Sequence, residues 1–105
     1  MLINRKIKYE KDEVVGFKIV NGDEVVARIV EDIDDCFMVD KPVTLVPSQQ
    51  GLAMMQSMFS MRMDKTIPIL KKNVIMHCVV RDDVETGYLE TTTGIQQVKK
   101  QGIIV

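Results

Sequence analysis

Between Glu13 and Val30, apolar residues recur at every second position on either side of a turn. Val15, Phe17 and Ile19 alternate with Gly16 and Lys18. After Asn21-Gly22-Asp23, Val25, Ala27 and Ile29 alternate with Val26 and Arg28. A period of two places one set on a single face of a pleated strand. Asn and Gly accept the positive φ that a tight reversal needs, so the segment is a β-hairpin. The apolar sets also choose the register. Pairing Ile19 with Val25 gathers all six residues on one face, whereas a slip of one residue scatters them. The implied loop is nearer three residues than two.

The rest of the chain is read outward from this hairpin. Glu31-Asp32-Ile33-Asp34-Asp35 is an acidic turn, and Cys36 to Val46 forms a third strand with Pro42 at a bend or a free edge. Pro47-Ser48-Gln49-Gln50-Gly51 breaks that strand. Met54, Met55, Met58, Met61 and Met63 then fall within ten residues, with Phe59 among them. Thr66 to Ile69 is extended, because Pro68 disfavours helix at the residue before it. Lys71-Lys72-Asn73 is a turn, and Val74 to Val80 is the last central strand. Asp82 to Thr93 changes period. Val84 and Tyr88 lie four apart, two aspartates suit a helix N-terminus, and Gly94 suits its end. The chain thus divides into a charge-rich arm at 1–12, a domain at 13–95 with a Met-rich insertion at 47–65, and a tail at 96–105. The arm suits a short helix or an extra edge strand. The tail ends in Ile103-Ile104-Val105 and is expected to dock on the domain or on a neighbouring subunit.

Length and charge bound the function. A chain of 105 residues is one domain, and a domain of this size buries only a modest part of its surface alone. Fourteen basic residues against fifteen acidic ones leave a formal charge of −1. Nucleic-acid binding would therefore need a local basic patch. Cys36 and Cys78 lack close-spaced partners, which argues against a metal framework. Both read as small buried hydrophobes of a reducing compartment, and nothing supports a disulfide between them. No apolar run approaches the roughly 18 residues of a membrane span, and the first residues lack the apolar core of a signal peptide. A cytoplasmic protein without membrane contact is expected. A Gly-rich phosphate loop, a nucleophile elbow and a metal-spaced His pair are all missing from the sequence. The expectation is a protein that is not an enzyme and needs neither cofactor nor metal.

Phe17-Lys18-Ile19-Val20-Asn21-Gly22-Asp23-Glu24-Val25-Val26-Ala27-Arg28-Ile29-Val30 resembles the first motif of the Sm-like family, which includes bacterial Hfq. The phrasing is closest to the small Sm-like proteins of marine and cyanophage-type bacteriophages. Like them, the chain continues with an acidic turn, Asp40-Lys41-Pro42, a Gln/Gly/Met-rich insertion, a Lys-Asn turn, and Tyr88-Leu89-Glu90-Thr91-Thr92-Thr93-Gly94-Ile95. The likeness covers roughly 13–95. It implies a mainly β fold: a strongly bent five-stranded antiparallel barrel, with the insertion before the fourth strand and a short C-terminal helix. It further implies a homo-oligomeric ring of five to seven subunits, built by adding an edge strand of one subunit to the next, in a host cytoplasm if phage-encoded. An apolar edge such as Val74–Val80 would be an aggregation hazard in a monomer, and closed heterologous contacts remove it. RNA or single-stranded nucleic-acid binding is the function the family implies. The alternative is a structural or adaptor ring of phage origin that binds protein.

The chain departs from the family at its ligand turns. The turn before the third strand is acidic and would repel phosphate. Lys71-Lys72-Asn73 stands where Arg-Gly or Lys-His is usual, and Ala27 replaces a glycine. Lys71, Lys72 and Asn73 are candidates to line a pore and hold nucleic acid, although exposed turns favour the same residues. Phe37 is a candidate stacking platform, although phenylalanine near a strand start more often serves a core. His77 reads as a packed histidine. Asp32, Asp34 and Asp35 read as a solvated acidic turn and not as a cation site. Met54, Met55, Met58, Phe59 and Met61, with Val74, Ile75 and Met76, are candidates for a subunit or protein-partner interface. Ordinary core and a flexible loop are the other readings of the methionines, but a small barrel cannot bury so many of them alone, which favours a contact surface.

Overall fold

The computed structural model describes the backbone of residues 8–98 and the side chains of residues 8–93; most of the N-terminal arm and residues 99–105 of the tail, with its Ile103-Ile104-Val105 end, lie outside the described residues. The described chain is mainly β, with six antiparallel strands in one open sheet and one helix. The strands are β1 (Val14–Ile19), β2 (Glu24–Asp32), β3 (Cys36–Ser48), β4 (Gly51–Gln56), β5 (Ile67–Leu70) and β6 (Val74–Val79). A 3-10 turn at Lys71–Asn73 precedes β6, and helix α1 spans Asp82–Val98. The sheet order is β4-β3-β2-β1-β6. The long β3 carries β5 along Cys36–Val39 and β4 along Val43–Ser48.

The β1–β2 loop has the three residues expected, but the register differs by two from a pairing of Ile19 with Val25. Phe17 faces Val25 and Val15 faces Ala27. The Ile19 N–H donates to the Asp23 carbonyl at 2.9 Å, which leaves a three-residue loop, Val20 to Gly22. Gly22 supplies a φ of +99°, and Asn21 Oδ1 accepts the Asp23 N–H at 2.9 Å. Those two devices let the ladder extend further into the turn. A shift of two preserves parity, so the apolar set keeps its face.

The Met-rich segment contains a strand that the sequence pattern did not announce. Gln49-Gln50 closes a hairpin in which Ser48 faces Gly51, whose φ is +113°. Met54 and Met55 are therefore strand residues opposite Leu45 and Thr44, and the excursion off β3 shrinks to 57–66. Gly51-Leu52-Ala53-Met54-Met55-Gln56 has neither alternation nor β-branched residues. Pairing with β3 overrides its weak local preference.

Three irregularities curve the sheet. Lys41-Pro42 bulge opposite Ala27, with Lys41 at a φ of +45°. The bulge gives Pro42, which has no N–H, a place where the ladder loses nothing. Val30 is extra on β2, and Ile75 is extra on β6. Each face of the curved sheet carries a buried apolar cluster. Tyr9, Val15, Phe17, Ala27, Ile29, Phe37 and Val39 fill one side. Val14, Val26, Val43 and Tyr88 fill the other, beneath α1.

Helix α1 runs past the expected end at Thr93, through Gly94 to Val98. Its propensity is poor, with two glycines and four threonines. Packing holds it instead. Tyr88 is buried, and its hydroxyl donates to the carbonyls of Asp40 and Lys41, each at 3.0 Å. Those carbonyls sit at the β3 bulge, so Tyr88 pins the helix to the bend. At Gly87 a Cβ would meet only the Met54 methyl, at an ordinary contact distance of 3.6 Å.

Candidate functional site

Two regions concentrate chemistry: a polar–aromatic junction where the acidic turn meets the 3-10 turn, and the two outer edges of the sheet. At the junction, Asp32 ends β2 and is buried. One carboxylate oxygen accepts Lys71 Nζ at 2.7 Å; the other accepts the Tyr9 N–H at 2.8 Å. Burial alone would raise the Asp32 pKa. The ammonium of Lys71 and the Tyr9 N–H outweigh that and hold the carboxyl below its usual range. Lys71 Nζ also lies 4.8 Å from the centre of the Phe37 ring, within cation–π range. The Lys71 N–H donates to the Asp35 carbonyl at 2.9 Å, tying the two turns through the backbone as well.

Tyr9 closes the junction from the N-terminal side. A 2.7 Å hydrogen bond joins its hydroxyl to Nδ1 of His77. Its ring lies 6.0 Å from Phe37 and 5.5 Å from His77. Burial, with the nearby Cys78, Asp32 and Glu13, raises the Tyr9 phenol above its usual range. Residues 8–12 are neither helix nor strand. They act as a strap that brings Tyr9 into the core.

The candidate nucleic-acid residues separate here. Phe37 and Lys71 meet, but they serve the fold. Phe37 is 2% exposed, packed on Phe17 at 4.9 Å and on His77 at 5.2 Å. It has no face free for a base and is not a stacking platform, because Tyr9 and Phe17 occupy its surroundings. Lys71 is neutralised by Asp32. Lys72 is exposed and makes no ion pair among the described residues. The Asn73 carbonyl accepts the Val20 N–H at 2.9 Å and so anchors the β1–β2 loop. The acidic turn includes a buried member, Asp32, which its sequence context does not betray. Its partner Lys71 lies 39 residues away. Among the described residues no group of three His, Cys, Asp or Glu side chains is arranged to hold a metal ion.

The sheet edges carry the candidate interface residues. Among the described residues β6 pairs only with β1, and β4 and β5 pair only with β3. On β6, Ile75 is 59% exposed and Met76 63%. At the opposite edge Met55 and Met58 are exposed, and Phe59 is 75% exposed. Three other candidates point elsewhere or are shared. Met54 packs into the cluster beneath α1, Val74 packs against the cluster around Phe37, and Met61 is half-buried. Cys36 is buried, with its thiol 3.7 Å from the Met38 sulfur. Cys78 is not the buried hydrophobe its apolar context suggests. It is exposed, on a strand that has no outer neighbour among the described residues. Both thiols are free.

Sequence reasoning missed Arg28, Asp40 and Tyr88 as a unit. Arg28 Nη2 lies 3.0 Å from an Asp40 oxygen at the bulge, and that hydrogen bond raises the Arg28 pKa further. Burial pushes the Tyr88 phenol far above its usual range. Only the bulge brings these residues together, and Lys41-Pro42 was its one visible signal. No described helix is long and apolar enough to cross a membrane. The chain matches no family model and no curated protein.

Proposed function

We propose that the chain is an Sm-like subunit that assembles into a homo-oligomeric ring through its two sheet edges and serves as a structural or adaptor module. The observation that carries this reading is a pair of sheet edges, at opposite ends of one sheet, that no described residue pairs, both lined by exposed apolar residues. Unpaired apolar edges are sites of strand addition. A chain with two different open edges joins head to tail, and such contacts close into rings when the rotation permits. The strand order supports the family reading. If β4 and β5 count as one strand interrupted by residues 57–66, the order is that of a five-stranded Sm-like barrel, with a short turn leading into the last strand.

The junction favours a protein-assembling role over nucleic-acid binding, since Phe37 and Lys71 are committed internally. Nucleic-acid binding is the second reading. It rests on Lys72, the exposed lysine of the turn before β6. Light scattering tests the main reading. Assembly predicts a particle of about five to seven times the subunit mass of 11.9 kDa. A stable monomer at micromolar concentration would overturn it. Met76→Lys should shift the particle toward monomer, and unchanged size would argue against β6 as the joining edge.

A further inference from the structure

Beside β6, on the face of the sheet that carries α1, lies a groove of about 500 Å³. Met76 and Cys78 of β6, Leu45 of β3, Leu52 of β4 and Val84 of α1 line it. Gly16 deepens its floor. A Cβ there would stand 3.2 Å from a Val80 methyl, so only the backbone occupies that point. At the other edge, the excursion 57–66 leaves between β4 and β5, and its Phe59 is the most exposed large apolar side chain of the described residues.

We infer that Met58 and Phe59 of one copy of this chain dock into the groove beside β6 of the next copy. This rests on the edge-to-edge assembly proposed above. Pairing the β4–β5 edge of one copy with β6 of another brings the origin of the 57–66 excursion alongside the strand that borders the groove. Area points to the same occupant. A six-residue strand edge contributes mainly ladder hydrogen bonds, whereas a stable interface removes about 800 Å² per partner from water. The exposed Met58 and Phe59 on one side, and the groove with Leu52 and Met76 on the other, supply apolar area continuous with that edge. A buried aromatic inserted in a pocket is the usual anchor of such an interface.

The native Cys78 lines the groove and is a free, exposed thiol, so the docking can be read by cross-linking. Phe59→Cys places a second accessible thiol on the excursion without touching either core. Under mild oxidation with tetrathionate the variant should form covalent multimers that dithiothreitol dissolves. Phe59→Cys combined with Cys78→Ser should form none, and neither should the wild type. In parallel, Phe59→Ser should raise the concentration at which the assembly dissociates by about tenfold or more. A particle of full size that fails to cross-link overturns the docking and leaves the edge assembly standing. So does one whose cross-links survive Cys78→Ser, since those would join two excursions. A monomer under all conditions overturns both.

Discussion

Removing the Lys71 ammonium tests whether the junction holds the two turns together. Asp32 is buried and Lys71 is one-third exposed. Breaking a buried pair by deleting one partner costs about 3–5 kcal/mol. Water reaching Lys71 argues for a cost at or below the lower end of that range, and the remaining Tyr9 N–H still solvates the carboxylate. Lys71→Met keeps the aliphatic stem over Phe37 and is expected to cost about 2–3 kcal/mol. With a urea slope of about 1.5 kcal/mol/M for a small domain, the midpoint falls by roughly 1.3–2 M, read by far-ultraviolet circular dichroism at one fixed protein concentration. Asp32→Asn removes the charge while keeping the shape. The double variant should recover part of the loss, with a coupling energy of about 1 kcal/mol or more. A coupling near zero would place the pair with ordinary surface ion pairs and refute the reasoning. Acid should act in the same direction. Asp32 is held below its usual range, so between that lowered value and the ordinary one the unfolded chain binds more protons. The stability Asp32 contributes is complete above about pH 4 and is lost as pH falls through the folded value. Asp32→Asn should flatten that acid limb, and an unchanged limb would mean that other carboxylates set it.

Tyr88→Phe removes the hydroxyl that pins α1 to the β3 bulge and strands two carbonyls at a buried bend, so a loss of about 1–2 kcal/mol is expected in urea unfolding; no loss would mean water already serves those carbonyls. Gly22→Ala forces a φ of +99° on a residue with a side chain and should cost about 1 kcal/mol, whereas the same change at Gly87, where a Cβ meets only a flexible methionine end at 3.6 Å, should be neutral or stabilising. If Lys72 holds nucleic acid, Lys72→Ala should weaken labelled oligo-U or oligo-A binding and reduce its salt slope by about one; an unchanged slope removes that reading.

What was legible in the sequence was what repeats locally. The β1–β2 hairpin announces itself because its apolar residues recur every second position and an Asn-Gly turn joins them. The last strand was legible for a similar reason, since Val74 to Val80 is a continuous β-forming run. The register slipped by two because the loop is fixed by an Asn21 side-chain bond and by Gly22, neither of which periodicity counts. Strand β4 was hidden because its residues have weak strand preference and are recruited by the length of β3. Asp32 read as one more solvated acid because its burial depends on Tyr9 and Lys71, 23 and 39 residues away. Phe37 is favoured as core by its place near a strand start, and the Tyr9 strap, lying in a segment without periodicity, completes that core.

The distribution of charge and apolar surface also separates the two readings of function. Lys71 is matched by Asp32, Arg28 by Asp40, Arg62 by Asp64 and Arg81 by Asp83. Among the described residues these pairs answer part of the positive charge within the chain, and the Lys71 and Arg28 pairs take the two partly buried cations out of play for phosphate. The exposed apolar groups, in contrast, cluster at β6 and at β4 with its excursion. Salt distinguishes an assembly driven by apolar edges from one driven by charge. Raising ionic strength from about 0.1 M to about 1 M shortens the screening length from roughly 10 Å to roughly 3 Å. That change should leave the particle intact, and an excluded salt such as sulfate should tighten it by favouring apolar burial. Dissociation into monomers in high salt would mean that charge, not the edges, joins the subunits.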